Sequence, residues 1–259
     1  MTLPLTLVFS SSLLRLPDEK PERSQSIDHD HLALFFCDNG YYKMTNGIDF
    51  AKLLREEKRK ARIRSSNSSS VVATKKEKAV KSLPKWSTNE PLSFDGLNLQ
   101  MICSDPKSIY YSSNALNDTK ALENWLQELP SGESGLGEWK TMKFGKRRAA
   151  MFGETPDCPL VGPLVEIASL LTSKRIFPSN EPPNHVLLNE YQPSQGILPH
   201  TDGPSYSSRT ATISLSSSVV LEFTKRLSSN EIGSTTQFES GSIQVLLEPG
   251  SLIVFEDEA

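Results

Sequence analysis

Residues 210–216 read Thr-Ala-Thr-Ile-Ser-Leu-Ser, an alternation of polar and apolar side chains without a fault. In an extended strand successive side chains point to opposite faces, so Ala211, Ile213 and Leu215 share one face and Thr210, Thr212, Ser214 and Ser216 the other. A helical period of 3.6 would scatter the same residues around the axis. Val219, Leu221 and Phe223 continue the period of two, and residues 242–247 and 251–255 flank the turn Glu248-Pro249-Gly250. Residues 185–191 and the short Ile109-Tyr110-Tyr111 are further strand candidates.

Two segments ahead of this run are helical by their spacing. Leu122, Trp125, Leu126 and Leu129 fall at i, i+3, i+4 and i+7 and predict a helix over 117–129. Leu164, Ile167, Ala168 and Leu171 predict a second over 163–174, with Pro163 in the first turn, where a missing N–H costs nothing. Helices followed by short strands predict an α+β class with a mainly β core. The expected form is a double-stranded β-helix, or jelly roll, from about residue 184 onward, with both helices packed on one sheet.

The first 105 residues have another character. Residues 65–70 are five Ser and one Asn, and Lys75-Lys76-Glu77-Lys78 follows. Residues 50–85 carry twelve Lys or Arg against three Glu, a local charge of +9 in a chain of net −3, which leaves −12 elsewhere. So little apolar surface does not offset the entropy of ordering a chain, and residues 1–105 are expected to be a mostly disordered basic leader. Its one expected helix lies near 49–63, with Asp49 as cap and Phe50, Leu53 and Leu54 as a short stripe. The basic face from Lys58 to Arg64 suits a nuclear-import signal, a nucleic-acid arm or a solvated linker. The apolar start, Leu3 to Phe9, has no basic residue before it and makes a poor secretory signal. No stretch approaches the roughly 20 apolar residues of a membrane span. Three scattered cysteines, Cys37, Cys103 and Cys158, form no CxxC pair and suit a reducing compartment, the nucleus or cytoplasm.

The residues with chemistry to offer lie between the strands. Asn189 and Tyr191 sit two apart on a strand and share a face. His200 and Asp202 follow in a turn fixed by Pro199, Gly203 and Pro204. An imidazole and a carboxylate presented two apart can take adjacent positions on one metal ion, two of the three ligands of a 2-His-1-carboxylate Fe(II) site. A second His further along would complete that triad, but His200 is the last histidine of the sequence. Thr212 and Ser214 on the next strand are polar groups of the kind that orient metal ligands.

This ordered set resembles the AlkB family of Fe(II)/2-oxoglutarate-dependent dioxygenases. The carrying residues run from Pro183 to Tyr191, from Gly196 to Pro204, through Thr212 to Leu215 and Val220 to Phe223, and from Leu246 to Leu252. Trp139-Lys140, Gly145 to Arg148 and Phe152-Gly153 are similar to the segment leading into that family's core. The resemblance covers about residues 107–259 and implies a dioxygenase domain over 106–259. It assigns His200 and Asp202 to iron, with no catalytic group beyond the metal ligands, and Asn189 and Tyr191 to 2-oxoglutarate. It implies oxidative N-dealkylation of alkylated bases in DNA or RNA, or of methylated protein, with O2 consumed and succinate, CO2 and an aldehyde released. Arg147 and Arg148 are compatible with phosphate contacts to such a substrate. The family's distal His and its 2-oxoglutarate-clamping Arg lie in strands after the one ending at Phe255, so a chain without them is expected to leave a sheet edge uncovered and to turn over little. The alternative is a catalytically inactive AlkB-like protein that binds nucleic acid or a protein partner.

Overall fold

The alternating segment forms the centre of a sheet. In the computed structural model residues 3–12, 31–36, 82–87, 91–103, 108–142, 147–153, 155–193, 195–197, 206–226 and 238–256 are described. In chain order the strands are β1 (Leu5–Ser12), β2 (His31–Phe36), β3 (Gln100–Met101), β4 (Ile109–Ser112), β5 (Lys140–Thr141), β6 (Arg148–Phe152), β7 (His185–Glu190), β8 (Tyr206–Leu215), β9 (Val219–Arg226), β10 (Phe238–Leu247) and β11 (Leu252–Phe255). The helices are α1 (Thr119–Gln127) and α2 (Pro163–Ser173). An eight-stranded sheet has the order β3-β4-β11-β8-β1-β7-β6-β5, and a three-stranded sheet the order β10-β9-β2. All the described strand pairs are antiparallel.

The large sheet separates two apolar clusters. On one face Leu7, Phe9, Leu188 and Ile213 pack against Leu122, Trp125 and Leu126 of α1 and Leu164, Ile167 and Leu171 of α2. On the other, Tyr191, Ile253 and Ile109 meet Leu221, Phe223 and Leu247 of the small sheet. Phe223 and Phe255 close that contact edge to face at 5.2 Å. The architecture is therefore mainly β, two antiparallel sheets with the helices on one side, and both helices pack where their stripes predict. Each is slightly shorter than its stripe. The left-handed Asp118 (φ 36°) precedes the first turn of α1, and the Glu128 N–H closes its end on Asn124 and Leu126.

The largest departure from expectation is β1. Residues 5–12 fall in the segment expected to be a disordered leader, yet they form the strand between β7 and β8. Leu5 faces Glu190 on one side and Leu215 on the other, and the ladders continue to Ser10 against His185 and Thr210. The reason is in the local pattern. Leu5, Leu7 and Phe9 alternate with Thr6, Val8 and Ser10, so the strand presents an apolar face to the helices and a mostly polar one to the small sheet.

The core also begins well before residue 106. Leu92 and Phe94 are buried, and the Trp86 indole N–H donates to Glu166 at 2.6 Å while that of Trp125 donates to the Pro84 carbonyl at 3.0 Å. The large sheet ends on two-residue strands, Gln100–Met101 and Lys140–Thr141, a short-edge arrangement that offers little template for association. Within the large sheet β1 lies between β7 and β8, while the small sheet ends on β10 and β2. The helix expected near 49–63 lies outside the described residues.

Candidate functional site

Register explains how the polar groups converge. Thr6 on β1 stands opposite Asn189 on β7 and opposite Ser214 on β8. Residues directly opposite on paired strands share a face, so the three side chains form one row across the sheet. That face is the one turned to the small sheet. Thr212 lies one step along, beside Val8, and Tyr191 continues the Asn189 face past the end of β7.

The polar face of β8 carries Thr212 and Ser214, the groups singled out from sequence. That face does not meet bulk solvent. Thr6, Asn189 and Ser214 are each 0% exposed, and Thr212 is buried with them. Among the described residues Thr6 Oγ1, Asn189 Nδ2, Thr212 Oγ1 and Ser214 Oγ have no hydrogen-bond partner. A buried polar atom left unpaired costs roughly 1–3 kcal/mol, so four in one place is an expensive arrangement for a core with no other use.

A guanidinium closes one end of the row. Arg147, just ahead of β6, donates from Nε to Asn189 Oδ1 at 2.8 Å. That bond turns the amide so that Nδ2 is left over. Arg147 is half-buried, and its desolvation holds the guanidinium below its ordinary range, an effect opposed by the neighbouring Tyr191. Arg148 points the other way. Its side chain shares the helix-side face of β6, forms a two-pronged pair with Glu190 at 2.7 and 2.6 Å, and lies 5.1 Å over the Trp139 ring. The two adjacent arginines, both compatible by sequence with phosphate contacts, are thus placed on opposite faces of the sheet, and the Arg148 guanidinium is taken up by Glu190.

Of the residues singled out by sequence, Asn189, Tyr191 and Arg147 are brought together. His200 and Asp202 lie outside the described residues. Among the described residues no group of three or more His, Cys, Asp or Glu could hold a metal ion. Sequence reasoning missed Thr6, although the period of two from Leu5 to Ser10 was its signal. A surface groove of about 930 Å3 runs along α2, lined by residues such as Val165, Ala168 and Thr172, on the opposite side of the large sheet. None of the expected site residues lines it.

The row combines buried hydroxyls, one amide and one cation, with apolar side chains of β9 and β10 as the opposite wall. It is a set of hydrogen-bond donors around a positive charge, suited to a small anion with an apolar middle. Over 76 residues, 29% of this chain, the sequence is 37% identical to a protein of Danio rerio described as "Probable RNA/DNA demethylase ALKBH6". The likeness supports an AlkB-family relationship. The matched stretch covers 32% of that relative, so the chain spans about a third of its length. No protein-family model matches the chain. No solved structure matches it.

Proposed function

We propose that this chain carries the core of an AlkB-type Fe(II)/2-oxoglutarate-dependent dioxygenase, built on a double-stranded β-helix and acting on N-alkyl groups of nucleic-acid bases or of methylated protein. The observation that carries the reading is the buried, unpaired row Thr6, Asn189 and Ser214 beside Arg147. The likeness to a described RNA/DNA demethylase supports it.

The residues present fit 2-oxoglutarate. The co-substrate is a small dicarboxylate with a two-carbon apolar middle, and the row carries an amide N–H, three hydroxyls and a cation on the sheet face that packs toward Leu221, Phe223 and Leu247. Fe(II), when bound, would supply the activation of O2, with His200 and Asp202 as the protein groups that hold it. The chain's own part is then positional. Asn189 is locked by Arg147 and presents its N–H to the ligand. The apolar wall keeps water from the reacting end, which strengthens each polar contact inside. An alkylated base must be extruded from its stack to reach such a site. The basic stretch 52–64 would attract the phosphate backbone.

The test is equilibrium binding of 2-oxoglutarate to the full 259-residue protein with Mn(II) standing in for Fe(II), followed by calorimetry. Mn(II) should strengthen 2-oxoglutarate binding, and His200→Ala or Asp202→Ala should remove that gain by at least about 10–100-fold, the range lost when even the supports of metal ligands are removed. Affinity that is indifferent to Mn(II) and to both substitutions would refute the metal assignment and leave a non-catalytic, ligand-binding AlkB-like protein as the better reading.

A further inference from the structure

We infer that the groove along α2 is a docking site for a short extended segment of a partner protein, apolar over most of its length and carrying an acidic side chain that meets Arg175. The groove lies on the helix side of the large sheet, away from the polar row.

Three observations carry it. The first is the surface that α2 leaves uncovered. A helix lying on a sheet ordinarily sets a charged face to water opposite its buried stripe. α2 buries Leu164, Ile167 and Leu171 against the sheet, yet its eleven residues include one charged side chain, Glu166. That carboxylate is engaged by the Trp86 indole N–H. Val165, Ala168 and Thr172, at i, i+3 and i+7, line the groove, and Val165 is 45% exposed. An uncharged, partly apolar surface of this kind marks a contact site.

The second is a shape fixed in advance. Pro156 and Pro159, from the loop after β6, and Pro182 and Pro183, from the loop before β7, complete the lining. Both loops are tied by hydrogen bonds. The Gly153 N–H donates to the Cys158 carbonyl at 2.6 Å, and the Ser11 hydroxyl of β1 to the Pro182 carbonyl at 3.1 Å. A groove already formed loses little freedom when it is filled. A helix of eleven residues is about 16 Å long at 1.5 Å per residue. About five residues of extended chain, at roughly 3.3 Å each, span that distance.

The third is charge and hydrogen bonding, which select the occupant. Among the described residues lining the groove Arg175 is the one charged side chain, and no carboxylate stands with it. It follows the helix at φ 60°, in the left-handed position that glycine ordinarily takes. The described ion pairs are Lys120 with Glu123, Arg148 with Glu190 and Arg209 with Glu256, so Arg175 has no carboxylate partner among the described residues. One cation suits one acid, whereas a nucleic-acid strand is held by several. The Thr172 hydroxyl donates to the Ala168 carbonyl and the Ser173 hydroxyl to the Leu170 carbonyl, each at 2.9 Å. Each spends its hydrogen on the helix and keeps oxygen lone pairs, which accept from the N–H groups of a peptide and repel the oxygens of a phosphate.

The experiment is a selection from a displayed library of random heptapeptides on the full 259-residue protein, with affinities of the selected peptides then measured by fluorescence anisotropy. The selected sequences should join apolar residues to an aspartate or glutamate. Ser169→Trp, which fills the groove from an exposed position, should weaken them by about tenfold or more. Arg175→Glu replaces attraction by repulsion and should weaken them roughly tenfold, and a fresh selection on it should favour basic peptides. Lys174→Glu makes the same change of net charge beside the groove and should cost about twofold at most. All three substitutions stand at exposed positions, and Ser169→Trp covers the case in which the charge reversal harms folding. A selection that yields no binder would overturn the proposal, as would peptides indifferent to both Ser169→Trp and Arg175→Glu. An eight-nucleotide oligothymidylate that binds the wild type and is lost in Ser169→Trp would give the groove to single-stranded nucleic acid and overturn the peptide assignment.

Discussion

A protein lacking residues 2–12 should fail to fold. β1 joins β7 to β8, and its removal would split the large sheet into β3-β4-β11-β8 and β7-β6-β5. Leu5, Leu7 and Phe9 are at most 5% exposed, and full burial of such side chains contributes roughly 1.5–3 kcal/mol each. Their sum is comparable with the whole stability of an ordinary domain, about 5–15 kcal/mol, even before two strand ladders are lost. The exposed edges of β7 and β8 would then invite intermolecular pairing. Circular dichroism on heating should show no cooperative transition, with the protein largely in the insoluble fraction. A soluble variant with a sharp melt near that of the intact chain would show that β1 is dispensable.

Gly153→Ala should be nearly as damaging for a different reason. Gly153 follows β6 at φ +83°, a region where a side chain costs about 1–2 kcal/mol. A Cβ there would stand 1.8 Å from the Asn184 carbonyl oxygen and 2.9 Å from the His185 Cα, both backbone atoms that no rotamer change can move. The clash pushes apart the end of β6 and the start of β7, the two strands that carry Arg147 and Asn189 to one another. The loss should be roughly 3–5 kcal/mol, in the uncommon upper range for a single substitution. For a chain of this size that is about 10 °C in Tm. A melting point within about 2 °C of wild type would mean that the approach of these segments is looser than the structure has it.

Much of this was readable from the chain. The faultless alternation of 210–216 and the stripes of α1 and α2 specify elements by local period, and local period survives folding. The shared face of Asn189 and Tyr191 followed from the same rule. What local pattern could not supply was partnership. The partners of β1 lie some 175 and 200 residues away, and its brief alternation sits beside a low-complexity stretch whose composition argues for disorder. The burial of the polar face of β8 was hidden for the same reason, since an alternating strand ordinarily turns that face to water. The separation of Arg147 from Arg148 was in principle legible. Adjacent residues on a strand point apart, so Arg147 and Arg148 face opposite sides of the sheet.

The central claim is that the 2-oxoglutarate ligand binds at the polar row of the large sheet and not in the groove along α2. Amide chemical shifts followed during titration of the Mn(II)-free protein with 2-oxoglutarate test it directly. The account predicts saturable shifts at Thr6, Asn189, Ser214 and Arg147, with Val165, Ala168 and Thr172 unmoved. Shifts confined to those α2 residues, with the row silent, would contradict it.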